Sequence, residues 1–173
     1  MNAITPTIAD PGAFLRVEHN NAVERANAWR GRCTDTLARG EAAVTDCLLR
    51  MVDDAERGAK LKAERMLGQR LQALANAVGP DGPFAAEGKA AAAKLNAFRE
   101  HEALRAMLCH GKGKVTVDGS GRWTLILTNV EIRGGKPTRN VQVIDEVEAA
   151  VLAKALAQVS QELCSVLGAI PKG

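Results

Sequence analysis

Residues 95–113 read LNAFREHEALRAMLCHGKG, from Leu95 to Gly113. The period of the sequence changes across this stretch, and that change decides the fold. Leu95, Phe98, Leu104 and Leu108 recur at helical spacing and draw an apolar stripe. The stripe stops at a histidine followed by glycine, where a helix commonly ends. Upstream the apolar pattern is helical throughout. Downstream it alternates as in strands, and one more helix follows. The stretch also concentrates polar chemistry in Arg99, Glu100, His101, Glu102, Arg105 and His110.

Working back toward the N-terminus, three helices are expected. Trp29, Cys33, Leu37, Val44, Cys47, Leu48 and Met51 form one stripe that stays in phase across Gly40. A glycine inside a helix costs about 1 kcal/mol relative to alanine. The unbroken phase still favours one long helix, from between Glu18 and Ala22 to about Asp54. A second helix is expected over about 59–78, with Leu61, Met66, Leu67, Leu71, Leu74 and Val78 on one face. Gly79-Pro80-Asp81-Gly82-Pro83 ends it. The third runs from about Phe84 to Cys109. Residues 1–16 hold Pro6, Pro11 and Gly12 without a period and read as a flexible N-terminal arm.

Working forward, Lys114–Val117, Trp123–Ile132 and Arg139–Ile144 read as short strands joined by Asp118-Gly119-Ser120-Gly121 and Arg133-Gly134-Gly135-Lys136-Pro137. Asp145 is a good N-cap for a last helix with Glu146 and Glu148 in its first turn. Val147, Val151, Leu152, Leu156, Val159, Leu163, Val166 and Leu167 mark the expected apolar face. The fold expected is mainly α. It is a bundle of four main helices with a small antiparallel β-meander inserted between the third and fourth. Residues 17–173 would be one domain, with the insertion at about 113–144.

Composition agrees. The 173 residues include three Phe, two Trp and no Tyr, which favours helix packing over a sandwich or barrel. The net charge is only +3, but seven basic residues lie between Arg105 and Arg139, opposed by Asp118 and Glu131 alone. Such a local field suits a phosphate backbone. It equally suits an exposed hairpin kept soluble by its lysines and arginines. Lys112, Lys114 and Arg122 are the candidate RNA contacts, and Trp123 is either a stacking base platform or core. The four cysteines fall at apolar helical positions and are expected to be buried free thiols. The sequence MNAITPTIADPGAFL at the start lacks the features of a signal peptide, and no run is long enough to span a membrane. A cytoplasmic location is expected. Cys109, His110 and His101 lack the spacing of a zinc site, so neither a metal nor a cofactor is expected.

Arg105-Ala106-Met107-Leu108-Cys109-His110 fits Arg-x-x-x-x-His at a helix end, followed by glycine. At these residues the chain resembles the HEPN superfamily (higher eukaryotes and prokaryotes nucleotide-binding). LRAMLCHG is similar to that family's Leu-Arg-Asn-x-x-x-His-Gly pattern, and the resemblance covers roughly residues 22–168. It implies an up-and-down helical bundle and a homodimer whose two motifs face each other. It also implies RNA or nucleotide as ligand, metal-independent endoribonuclease activity of toxin or defence type, and an antitoxin-like protein partner in a bacterial cell. Carried onto this chain, Arg105 and His110 would be catalytic. Arginine matches phosphate oxygens with a permanently charged planar fork, and histidine titrates near neutrality. His101 and Glu102, one turn before Arg105, would support them. Where the family usually has Asn or another polar residue, this chain has Ala106. The alternative expectation is therefore a non-catalytic dimerisation or interaction module of the same fold. On an ideal helix Arg105 and His110 lie about 140° apart. They converge only if the helix ends at Cys109 or a symmetric copy completes the site. His110 could otherwise cap the helix C-terminus, and Glu102 could simply pair with Arg105. Glu41 and Asp46 join the site only if the first helix passes this corner.

Overall fold

The structure is a computed structural model, and it describes residues 11–62 and 64–170. Five helices and a three-stranded antiparallel sheet follow one another along the chain. Helix α1 spans Pro11–Val52 and is unbroken at Gly40. The expected start near residues 18–22 is corrected to Pro11. A proline fits the first turn of a helix, where its missing N–H is not needed. From Leu15 to Asn20 no residue is buried, so this part of the helix shows no period in the sequence. Of the expected arm, residues 11–16 belong to α1, and residues 1–10 lie outside the described residues.

The second helix is shorter than expected. It is α2, Leu67–Val78. Residues 53–62 form turns because the Asp54 side chain accepts hydrogen bonds from the amides of Glu56 and Arg57. Such local capping competes with helix. Met66, expected on the apolar face, is exposed. The expected third helix is two: α3, Ala85–Arg99, and α4, Glu102–His110. At the break the His101 amide bonds to the Phe98 carbonyl at 3.1 Å, a tighter turn than the α-helix makes.

The three expected strands are present but longer, and Lys136 and Pro137, expected in the second turn, belong to the last of them. The strands are β1, Lys112–Val117; β2, Trp123–Arg133; and β3, Lys136–Asp145. The sheet order is β1-β2-β3, and it lies between α4 and α5, Glu146–Gly168. Gly134 and Gly135, with φ of 56° and 77°, make the two-residue turn between β2 and β3. Val115, Leu125 and Ile144 stand in register on the inner face. Asp145 caps α5 as expected, accepting from the amides of Val147 and Glu148 at 2.8 Å each. The face of α5 is corrected: Ala149, Leu156, Ser160, Leu163 and Leu167 are buried, while Val147 and Val151 are exposed.

Helix α1 is the spine. Its buried stripe is the one expected from Trp29 through Cys33 and Leu37 to Met51, and it extends back to Ala26 and Ala22. Near its middle, Trp29 meets Trp123 of β2 with ring centroids 5.9 Å apart, and its indole N–H donates to the Ala149 carbonyl at 2.7 Å. Gly40 lets α3 come close: a Cβ there would lie 2.5 Å from the Phe98 ring. Arg50 reaches the Leu167 carbonyl at the far end of α5. The sheet, α4 and α2 each pack on part of α1, and α5 runs beside it from Trp29 to Arg50. Among the described residues, no helix is long and apolar enough to cross a membrane.

Candidate functional site

Helix α4 carries Arg105 on the side that faces α1. Its Nε donates to Glu41 Oε1 at 2.8 Å, and Nη2 lies 3.5 Å from Oε2. The pair is partly buried, with 31% of the Arg105 side chain and 18% of the Glu41 side chain exposed. The Glu41 carboxylate holds the Arg105 guanidinium above the ordinary arginine value, and burial opposes this more weakly. Glu41 thus joins the site because α1 does pass the corner. Asp46, exposed and five residues further along α1, lines neither of the cavities at this corner.

His101 and Glu102 line the same cleft as Arg105 and Glu41, against Phe98 and Leu71. The free space there is about 10 Å³, at the lower limit for one water. Glu102 turns to Arg99 instead of Arg105, with Arg99 Nε donating to Oε1 at 3.1 Å. A wider groove of about 420 Å³ also borders the pair, lined by Thr34, Asp35, Ala38 and Cys109.

His110 is exposed on the last turn of α4 and lines neither of these cavities. The helix is continuous from Glu102 to His110, so the two side chains leave the axis about 140° apart. One chain does not bring Arg105 and His110 together. The helix-capping task falls to another residue. Arg30 of α1 donates through Nε to the Leu108 carbonyl at 2.6 Å and through Nη2 to the Gly111 carbonyl at 3.0 Å. Nothing in the local sequence marks Arg30, which bonds across 78 positions to Leu108. Gly111 is needed here by space, since a Cβ would lie 2.4 Å from the Met107 carbonyl oxygen.

Lys112 and Lys114 follow on β1, both exposed and on one face of the strand. Arg122 is tied down in the turn, with Nη2 3.0 Å and Nε 3.1 Å from Asp118 Oδ2. The Ser120 hydroxyl, backbone amides and Arg122 together hold the Asp118 carboxyl well below the usual carboxylate range. Trp123 is core, packed at a tilt against Trp29, and not an open platform for a base. The expectation of four buried thiols holds for Cys33 and Cys47. It is corrected for Cys109, which is exposed beside Arg105, and for Cys164, which is half-buried. Cys109 lies on the last turn of α4, which ends at His110, and both residues look outward.

No protein-family model, curated protein or solved structure matches this chain.

Proposed function

We propose that the protein is a HEPN-like interaction module that self-associates and lacks nuclease activity of its own. The mainly helical fold, with α3 and α4 separated only by Glu100 and His101, supports the reading. The observation that carries the reading is the Arg105–Glu41 ion pair. A guanidinium held by a carboxylate is poorly placed to stabilise a developing phosphate charge. His110 stands about 140° away on the same helix. Ala106 adds no polar group between them. The test is RNA incubated with the wild-type protein in EDTA from about pH 5 to 8, the range in which histidine titrates. Intact RNA is expected. Cleavage that disappears in His110→Ala would overturn the reading.

A second reading is favoured by the exposed row His110, Lys112 and Lys114 at the α4–β1 corner. These residues suit an RNA or nucleotide phosphate without cleavage. Binding of this kind weakens as salt rises, because counterions are released when cations meet phosphates. RNA affinity that falls with salt, and falls again in Lys112→Ala/Lys114→Ala, supports it. An antitoxin-like partner would follow from the same resemblance and is tested by co-purification from the native cell.

A further inference from the structure

We infer that the open edge of β3 pairs with the same edge of a second copy, joining two sheets into one of six strands. The inference rests on the self-association proposed above and names its surface. Strand β3 is terminal in the order β1-β2-β3, so among the described residues one side of its backbone has no strand partner. The two-residue turn at Gly134-Gly135 makes Arg133 and Lys136 a hydrogen-bonded pair. Alternation then assigns Thr138, Asn140, Gln142 and Ile144 to β2. The N–H and C=O groups of Arg139, Val141 and Val143 point to the open edge.

These groups are self-complementary. A two-fold axis through Val141 sets Val141 against Val141 of the second copy, and Arg139 against Val143. Each such pair can exchange two hydrogen bonds. Pairing ends where the chemistry stops it: the next residue toward the turn is Pro137, which has no N–H to give. Charge is matched as well. Arg139 lies diagonal to Asp145 of the second copy, within reach of a long side chain. Asp145 uses Oδ1 for both of its cap bonds, so Oδ2 is not engaged in the cap.

The side chains point the same way. Val141 and Val143 are 57% and 54% exposed. They share the outer face of the sheet with Val130 and Ile132, also exposed. Six of the ten exposed large hydrophobics among the described residues fall between Val130 and Val151. Edges that stay single are blunted by proline or charge. Here that protection sits near the turn, in Lys136, Pro137 and Arg139, and Asn140–Ile144 carries no charge. An isologous contact of this kind closes at two copies. It leaves β1 and the Arg105 corner at the two far ends of the joined sheet.

The test is the mass in solution by light scattering, for wild type, Val141→Pro and Val141→Lys. A dimer is expected for the wild type. Val141→Pro removes an N–H that points away from β2, and by symmetry two bonds across the axis. It should raise the dissociation constant about tenfold or more with an unchanged helical signal. Val141→Lys should do the same by charge. A second measurement does not depend on those variants folding well. With Cys109 and Cys164 changed to Ser, Val141→Cys should form a disulfide-linked dimer on oxidation, because hydrogen-bonded partners stand about 5.5 Å apart. Val130→Cys, on the neighbouring strand, should not. A monomeric wild type would overturn both this inference and the self-association it rests on. A dimer that survives both Val141 substitutions, with no Val141→Cys cross-link, would overturn the edge alone.

Discussion

Arg105 of α4 and Glu41 of α1 form a partly buried ion pair, 2.8 Å between Nε and Oε1. It fastens the short helix that ends at His110 to the spine of the molecule. Removing one partner leaves the other charge half out of water without compensation. Glu41→Gln and Arg105→Met are each expected to lower unfolding free energy by about 1–3 kcal/mol. The double variant should lose less than the two singles added together, since no orphan charge remains. Urea unfolding of the four proteins checks this. Additive losses would mean that the pair contributes nothing of its own.

Gly40 reverses the usual rule for helix glycines. Alanine is about 1 kcal/mol better than glycine inside a helix. In this helix the new methyl would meet Phe98 Cε2 at 2.5 Å, with the Ser160 hydroxyl 3.1 Å away. Phe98 is buried and has little room to yield. Gly40→Ala is therefore expected to destabilise by about 1–3 kcal/mol, the range for overpacked cores. Thermal unfolding gives the sign. A raised melting temperature would show that α3 can shift away from α1.

Gly40 also shows what the sequence made legible. The stripe through Trp29, Cys33 and Leu37 to Met51 keeps its phase because every buried position is set by one straight helix. The strands were legible because alternation and turn residues act locally. The failures share a cause: they depend on contacts distant in sequence or on exposed turns. The first helix ends near Asp54 as expected, but the second begins at Leu67 and not near residue 59, and periodicity did not show where the turns stop. Val147 and Val151 fit the α5 stripe by spacing, yet α1 covers a face rotated away from them. At the site, Arg105, His101 and Glu102 share a cleft as the spacing suggested. Arg30 bonds the same corner from 78 positions away, where no local signal could mark it.

The thiols should react in two classes. Burial pushes the Cys33 thiol up to about 11 and raises Cys47 as well. The thiolate is the reactive form, so both should be inert in the folded protein. Cys109 is exposed. A thiol reagent under native conditions is expected to label Cys109 first, with Cys33 and Cys47 appearing only on unfolding. Mass spectrometry of the labelled peptides identifies the sites. Early labelling of Cys33 would mean that α1 opens locally.

Arg57 should give the protein part of its acid sensitivity. Its Nε donates to Asp54 Oδ2 at 2.9 Å and its Nη1 to Glu87 Oε1 at 2.5 Å. The guanidinium also stacks 4.4 Å from the centre of the Phe84 ring. Asp54 is held below the ordinary range first by the Arg57 amide, and then also by the Arg57 side chain. Glu87 is lowered first by its own amide in the first turn of α3, and next by the Arg57 side chain. A carboxyl lowered in the folded state stabilises above its unfolded value, near 4, and that stability is lost as pH falls through the folded value. Arg57→Met removes the side-chain part and leaves the amide bonds. The stability gap between wild type and Arg57→Met should be constant at neutral pH and shrink as pH drops below about 4. It should not vanish, because the contact with Phe84 does not titrate. Urea midpoints measured from neutral to acid pH decide the matter. A gap that stays constant into acid would assign the whole effect of Arg57 to its packing on Phe84.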